Sequence, residues 1–235
     1  MRPTRRKRSM IVSLVVSIAL SAAVTGAIVQ PGPDPRRFES EVAEFEAADL
    51  ATPPPEGAVL FVGSSSIRYW DIAAAFPGRS AIKRGFGGSH VSDNIYFADR
   101  LIFRYKPPLI VFYAGDADVA AGKQAEQIAA DYRTLIAAIH ARLPATRVIV
   151  IGTKPSPAHW AQMSTIRGAN ASVKALADAD PLVEYVDVEF ALLGADGKPG
   201  PELYAENGLN LNERGYERWN AAVKPVIEKN WPPKK

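Results

Sequence analysis

The sequence predicts an α/β fold: a single-domain three-layer α/β/α sandwich on a parallel sheet of about five strands. Three observations predict it. Short apolar runs alternate with segments of helical periodicity over most of the chain. The runs are apolar throughout rather than at every second residue, as in strands covered on both faces. Five such runs in 235 residues suit one domain plus a leading segment.

The elements follow in order. Arg2, Arg5, Arg6, Lys7 and Arg8 precede an uncharged stretch, Met10 to Val29, that ends in the small residues Thr25-Gly26-Ala27. Residues 1–29 read as a secretory signal peptide with a cut after Ala27, or as an uncleaved anchor long enough to span a bilayer. Either way the basic end stays inside and the domain is exported, to the periplasm, the outside, or the outer face of the inner membrane. Residues 30–57 read as a proline-rich linker and a short amphipathic helix with Phe38, Val42 and Phe45 on one face. The expected domain spans 58–235. Its strands are predicted at Ala58–Val62, Ser80–Lys83, Leu109–Tyr113, Arg147–Ile151 and Val183–Val188. The clearest helix is Lys123 to Leu143. The last one follows Asn212, a predicted N-cap, and turns Tyr216, Trp219, Val223 and Val226 inward. Pro225 is expected to kink or shorten it.

Composition excludes several functions. The basic excess sits in the first eight residues; without those five charges, 23 Lys and Arg face 25 Asp and Glu. A near-neutral body lacks the basic face of a nucleic-acid binder. The absence of cysteine excludes disulfides, a thiol nucleophile, a cysteine-linked lipid anchor and a zinc–thiolate site. No metal-site or nucleotide fingerprint is present, so neither a cofactor nor a metal is expected.

In parallel sheets the site forms at the carboxyl ends of the strands. The first strand is followed by Gly63-Ser64-Ser65-Ser66-Ile67, and the second by Arg84-Gly85-Phe86-Gly87-Gly88-Ser89-His90. The third is followed by Ala114-Gly115-Asp116-Ala117-Asp118. Near the end stands Glu206-Asn207-Gly208-Leu209-Asn210-Leu211-Asn212-Glu213-Arg214-Gly215-Tyr216. Singly, each of these reads as a turn.

Together and in this order they resemble the SGNH/GDSL hydrolase family, a flavodoxin-like fold, over roughly Ala58 to Ile227. The resemblance implies ester or acyl hydrolysis, with Ser65 as nucleophile and the Gly88 N–H helping to hold the oxyanion. Three positions depart from the family pattern. Ala117 replaces the oxyanion Asn, Asn207 replaces the triad Asp, and Asn210 replaces the triad His.

These departures remove chemistry. An amide has no basic site near neutral pH and cannot protonate a leaving group. Losing the base in a comparable triad costs about 10⁶ in turnover. Losing the orienting carboxylate costs about 10⁴ where the histidine is present, and adds little where it is not. Losing one side-chain oxyanion donor costs roughly 10²–10³. The expectation is a poor esterase or none. The alternatives are an envelope pseudoenzyme that binds an acylated or sugar ligand, and an esterase with a relocated base. His159, after the fourth strand, is the candidate base, although an ordinary loop histidine is favoured. His90 need not face Ser65, and His140 is expected on a helix surface. Asp116 and Asp118 read as structural. Tyr69 and Trp70 are expected to pack, with a cleft wall as the alternative. Lys154 reads equally as a pocket border or a solvated loop lysine. Expected partners are a small ester, lipid or glycan, with no nucleic acid, and a membrane only through residues 1–29.

Overall fold

The computed structural model describes residues 32–232. The expected leading segment, 1–29, lies outside them. Among the described residues no helix is long and apolar enough to cross a membrane.

Five strands, β1 (Val59–Gly63), β2 (Ala81–Gly85), β3 (Leu109–Tyr113), β4 (Arg147–Ile151) and β5 (Val183–Val186), form one parallel sheet in the order β2-β1-β3-β4-β5. The helices are α1 (Glu39–Ala51), α2 (Ser65–Tyr69), α3 (Ile72–Ala75), α4 (Val91–Tyr96), α5 (Ala98–Leu101), α6 (Asp116–Ala120), α7 (Ala125–Arg142), α8 (Met163–Asp178), α9 (Glu189–Leu192) and α10 (Glu213–Asn230). The predicted strands and long helix are present, with ends displaced by one or two residues.

Side-chain alternation splits the core into two layers. Leu60, Val62, Ile110, Phe112, Val148 and Val150 face Ile128, Tyr132 and Ile139 of α7 and Ile166 and Val173 of α8. Val59, Phe61, Val111, Tyr113, Ile149 and Ile151 face Ile67, Trp70, Trp219, Val223 and Ile227. Both faces of the central strands are covered, which is why β1 and β3 are apolar throughout, while the edge strands β2 and β5 carry Lys83, Arg84 and Glu184.

The short N-terminal helix is part of this core. Val42 is fully buried, and Phe38 meets Phe86 edge-on at 5.0 Å. Ion pairs hold it: Arg100 to Glu39 and Glu46, Arg84 to Asp49, and Arg37, just before it, to Asp93.

Asn212 caps α10, its Oδ1 accepting from Gly215 N at 3.0 Å. Pro225 does not end the helix, which runs on to Asn230. An interior proline costs about 3 kcal/mol. Trp219, Val223 and Ile227 are completely buried on this helix, at about 1.5–3 kcal/mol for a buried Val or Ile. Tertiary burial outweighs the local penalty.

Candidate active site

The strand order reverses between β1 and β3, so the chain leaves the sheet in opposite directions there and opens a crevice at their carboxyl ends. The first and third turns flank that crevice.

Gly63 ends β1 at φ +138°, and a Cβ there would lie 1.9 Å from the Tyr113 carbonyl oxygen. Only glycine allows the approach through which Ser64 N donates to Tyr113 O at 2.8 Å. The chain then turns straight into α2. Ser65 is its first residue, so its N–H has no partner within the helix. Gly88 sits at φ +77° before α4, a conformation that favours glycine.

Ser65, Gly88, Ala117 and Asn210 line one cavity of about 440 Å³. Asp116 and His159 line it too. Four of the five residues predicted from sequence therefore meet. Asn207 is the exception. It is exposed, and its Oδ1 accepts from the N–H groups of Leu209 and Asn210, both at 3.0 Å. It shapes the turn and does not line the cavity. Asn210 is held by its main chain, with Ala205 N donating to Asn210 O at 2.8 Å. Its side-chain Oδ1 is buried and has no partner among the described residues.

The histidines separate clearly. His90 is buried at the start of α4, its Nδ1 3.5 Å from Asp118 Oδ1, and it does not line the cavity. His140 pairs with Asp180 at 3.2 Å at the end of α7. His159 lies in a 3₁₀ turn, Pro157–Gln162, that is bonded to the 207–210 turn by Ala158 N donating to Gly208 O at 3.1 Å. That contact brings His159 to the cavity. Its Nδ1 is buried without a partner among the described residues, so none of their carboxylates orients the ring through that nitrogen.

Asp118 is structural. Burial opposes its charge, but His90 and Lys123 together hold the carboxyl below its usual range. Lys123 Nζ donates to it at 2.7 Å, and Val91 N at 3.1 Å ties the third turn to α4.

Lys154 is neither a pocket border nor a solvated loop lysine. Its side chain is 0% exposed, and Nζ donates to Asp116 Oδ2 at 2.9 Å. The Tyr113 hydroxyl donates to the same oxygen at 2.6 Å. Burial, with the Asp116 charge beside it, pushes the Tyr113 hydroxyl well above its ordinary range. Asp116 Oδ1 has no partner among the described residues. The sequence reading missed this cluster, although a signal existed. Asp116 and Lys154 follow β3 and β4, neighbours in a parallel sheet whose turns lie side by side.

Trp70 packs, in edge contact with Phe61 and Trp219. Tyr69, 55% exposed, is a cleft wall. It lines the Ser65 cavity and a larger one of about 680 Å³ between α2–α3 and α10. Among the described residues no group of acidic, histidine or cysteine side chains is arranged to hold a metal.

No curated protein matches the chain. Solved structures do. A GDSL-like lipase from Bacteroides thetaiotaomicron is 22% identical, with a TM-score of 0.66 over 83% of this chain and 98% of that one. A member of the lipolytic protein G-D-S-L family from Veillonella parvula is 22% identical, with a TM-score of 0.61 over 73% and 98%. A variant of an acetyl-xylooligosaccharide esterase from Geobacillus Stearmophilus is 14% identical, with a TM-score of 0.59 over 76% and 96%. At these identities the likeness speaks for the fold. The GDSL-like lipase/acylhydrolase family profile matches residues 57–218, and the chain belongs to that family.

Proposed function

We propose that this protein keeps the ligand cleft of an acylhydrolase and has lost most or all of its power to turn an ester over, acting as a binding pseudoenzyme. One observation carries the reading. Asn210 occupies the base position, lines the Ser65 cavity, and offers only an amide there. A serine hydroxyl without a base is a weak nucleophile, and an amide cannot take its proton. Ala117 offers a methyl group in place of an oxyanion donor.

A second reading has its own support. His159 lines the same cavity and is the one imidazole that does so among the described residues. As a relocated base it lacks an orienting carboxylate, which costs about 10⁴ in a comparable triad. This reading therefore also gives an impaired enzyme.

The test is hydrolysis of p-nitrophenyl acetate by the full chain. It is run beside Ser65→Ala, His159→Ala, and the repaired variant Ala117→Asn, Asn207→Asp, Asn210→His. The expected result is a parent indistinguishable from Ser65→Ala and a repaired variant with serine-dependent turnover. Parent turnover abolished by both Ser65→Ala and His159→Ala establishes the relocated base instead. Strong parent turnover that needs Ser65 but not His159 rejects both readings.

The place of action is proposed as exported. The support is the basic start followed by the uncharged Met10–Val29 stretch. Cell fractionation with N-terminal sequencing of the mature chain checks it, and recovery in the cytosol with Met1 intact overturns it.

A further inference from the structure

Of the seven asparagines, only Asn207 precedes a glycine. The main-chain nitrogen after an asparagine can close on the side-chain Cγ, a five-membered ring closure favoured by proximity. A side chain on the following residue crowds that approach. Gly208, at φ +61°, carries none.

The fold separates Asn207 from the other six. Asn94, Asn170 and Asn220 lie inside α4, α8 and α10, where the following nitrogen belongs to a helix. The amide groups of Asn212 and Asn230 are held: Asn212 Nδ2 donates to Glu202 O at 2.9 Å, and Asn230 Nδ2 to Val226 O at 2.9 Å. Asn210 is followed by the buried Leu211. Asn207 is exposed in a turn, and its Nδ2 meets no acceptor among the described residues.

Two sets of bonds act on the reaction in opposite senses. Leu209 N and Asn210 N both donate to Asn207 Oδ1 at 3.0 Å, which polarises Cγ and favours the oxyanion that attack forms there. Gly208 N donates to Ala205 O at 2.8 Å and must leave that bond to attack. Opening one such bond slows the step by roughly two- to tenfold. A helical asparagine must open several at once.

We propose that Asn207 is a site of self-deamidation. Gly208 N loses its proton to water and bonds to Cγ; the Cγ–Nδ2 bond breaks, and ammonia leaves with a proton taken from water. A second water opens the cyclic imide. Cleavage between Cγ and the Gly208 nitrogen gives aspartate. Cleavage between that nitrogen and the main-chain carbonyl carbon of residue 207 gives isoaspartate. Water is the only reagent, and nothing is oxidised or reduced. The aspartate product keeps the turn acceptor and puts a carboxylate at the position where the family resemblance places one. The isoaspartate product adds a methylene to the main chain of the turn. That turn holds Asn210 through Ala205 N and meets the His159 turn through Ala158 N, so the wall of the Ser65 cavity changes with it. None of this depends on whether the chain hydrolyses an ester.

The experiment is incubation of the full chain in mildly alkaline water enriched in oxygen-18, followed by peptide mapping with mass spectrometry. The peptide carrying residue 207 should be the first to show an amide-to-acid exchange with one heavy oxygen, at least roughly tenfold ahead of any other asparagine. Isoaspartate should appear in it beside aspartate. It is read on that peptide alone, because Asp196-Gly197 can form isoaspartate without the exchange. Gly208→Ala should slow the exchange by roughly tenfold or more. Because alanine is strained at that φ, Asn207→Gln, which must close a larger ring, is the second variant and should leave the peptide unchanged over the same time. The proposal is overturned if another asparagine exchanges first, or if residue 207 yields aspartate with no isoaspartate. It is also overturned if residue 207 stays an amide in the folded chain while it converts in the urea-unfolded one.

Discussion

The turn after β1 and the 207–210 turn line one cavity, and they differ in what was kept. At Ser65 both scaffold and chemistry remain: Gly63 closes on Tyr113, and the serine opens α2 on the cavity. At 207–210 the scaffold remains and, on the function proposed above, the chemistry does not. Asn207 Oδ1 accepts from two main-chain N–H groups, a task that aspartate and asparagine perform alike. Asn210 is fixed through its backbone oxygen, which is indifferent to its side chain. On that proposal a catalytic pair is removed without unfolding its turn. The bonds that shape the turn are not the ones that do the chemistry.

The largest expected effect tests that directly. If the turn is intact, the triple repair should raise serine-dependent turnover by at least about 10³, a fraction of the roughly 10⁶ a full triad supplies. A repaired variant that folds and gains nothing breaks the comparison, because the 207–210 turn would then be misplaced.

Next comes the ion pair beneath the cavity. Lys154→Met leaves Asp116 without its cation in a dry site, at a cost of about 3–5 kcal/mol in urea unfolding. The double variant with Asp116→Asn should lose less than the two single changes added. Full additivity would mean that the pair does not act as a unit.

Smaller still, Asn212→Ala removes the α10 cap and should cost about 1 kcal/mol. Asn207→Asp keeps the turn acceptor and should shift stability by less than about 0.5 kcal/mol without restoring turnover. A large loss from that single change would show that the turn distinguishes amide from carboxylate.

The acid limb gives the finest test. Asp118 titrates below its ordinary value of 3.8 in the folded chain. Its contribution is complete above that value and disappears as pH falls through the folded pKa. Acid unfolding of the parent should therefore steepen below about pH 4, and Asp118→Asn should flatten that limb. An unchanged limb would remove Asp118 from the third turn's support.

The sequence by itself determined the sheet, its parallel sense, and which turns line the Ser65 cavity. Mostly apolar runs alternating with helices permit few other folds, and strand-end turns in such a sheet share one edge. It also singled out Ser65, Gly88, Ala117 and Asn210, which the fold brings to one cavity, because family order reads directly along the chain. Only the tertiary structure decided the rest. Lys154 and Asp116 lie 38 residues apart, and burial of that pair depends on which strands are neighbours. Pro225 stays within its helix because three side chains on it are buried elsewhere in the fold. His159 reaches the cavity through a main-chain contact with a turn about 50 residues away, whereas the Asn207 side chain is bonded within its own turn. Local pattern fixes which residues leave the sheet together, but where each side chain then points depends on long-range packing and on hydrogen bonds that no short window of sequence contains.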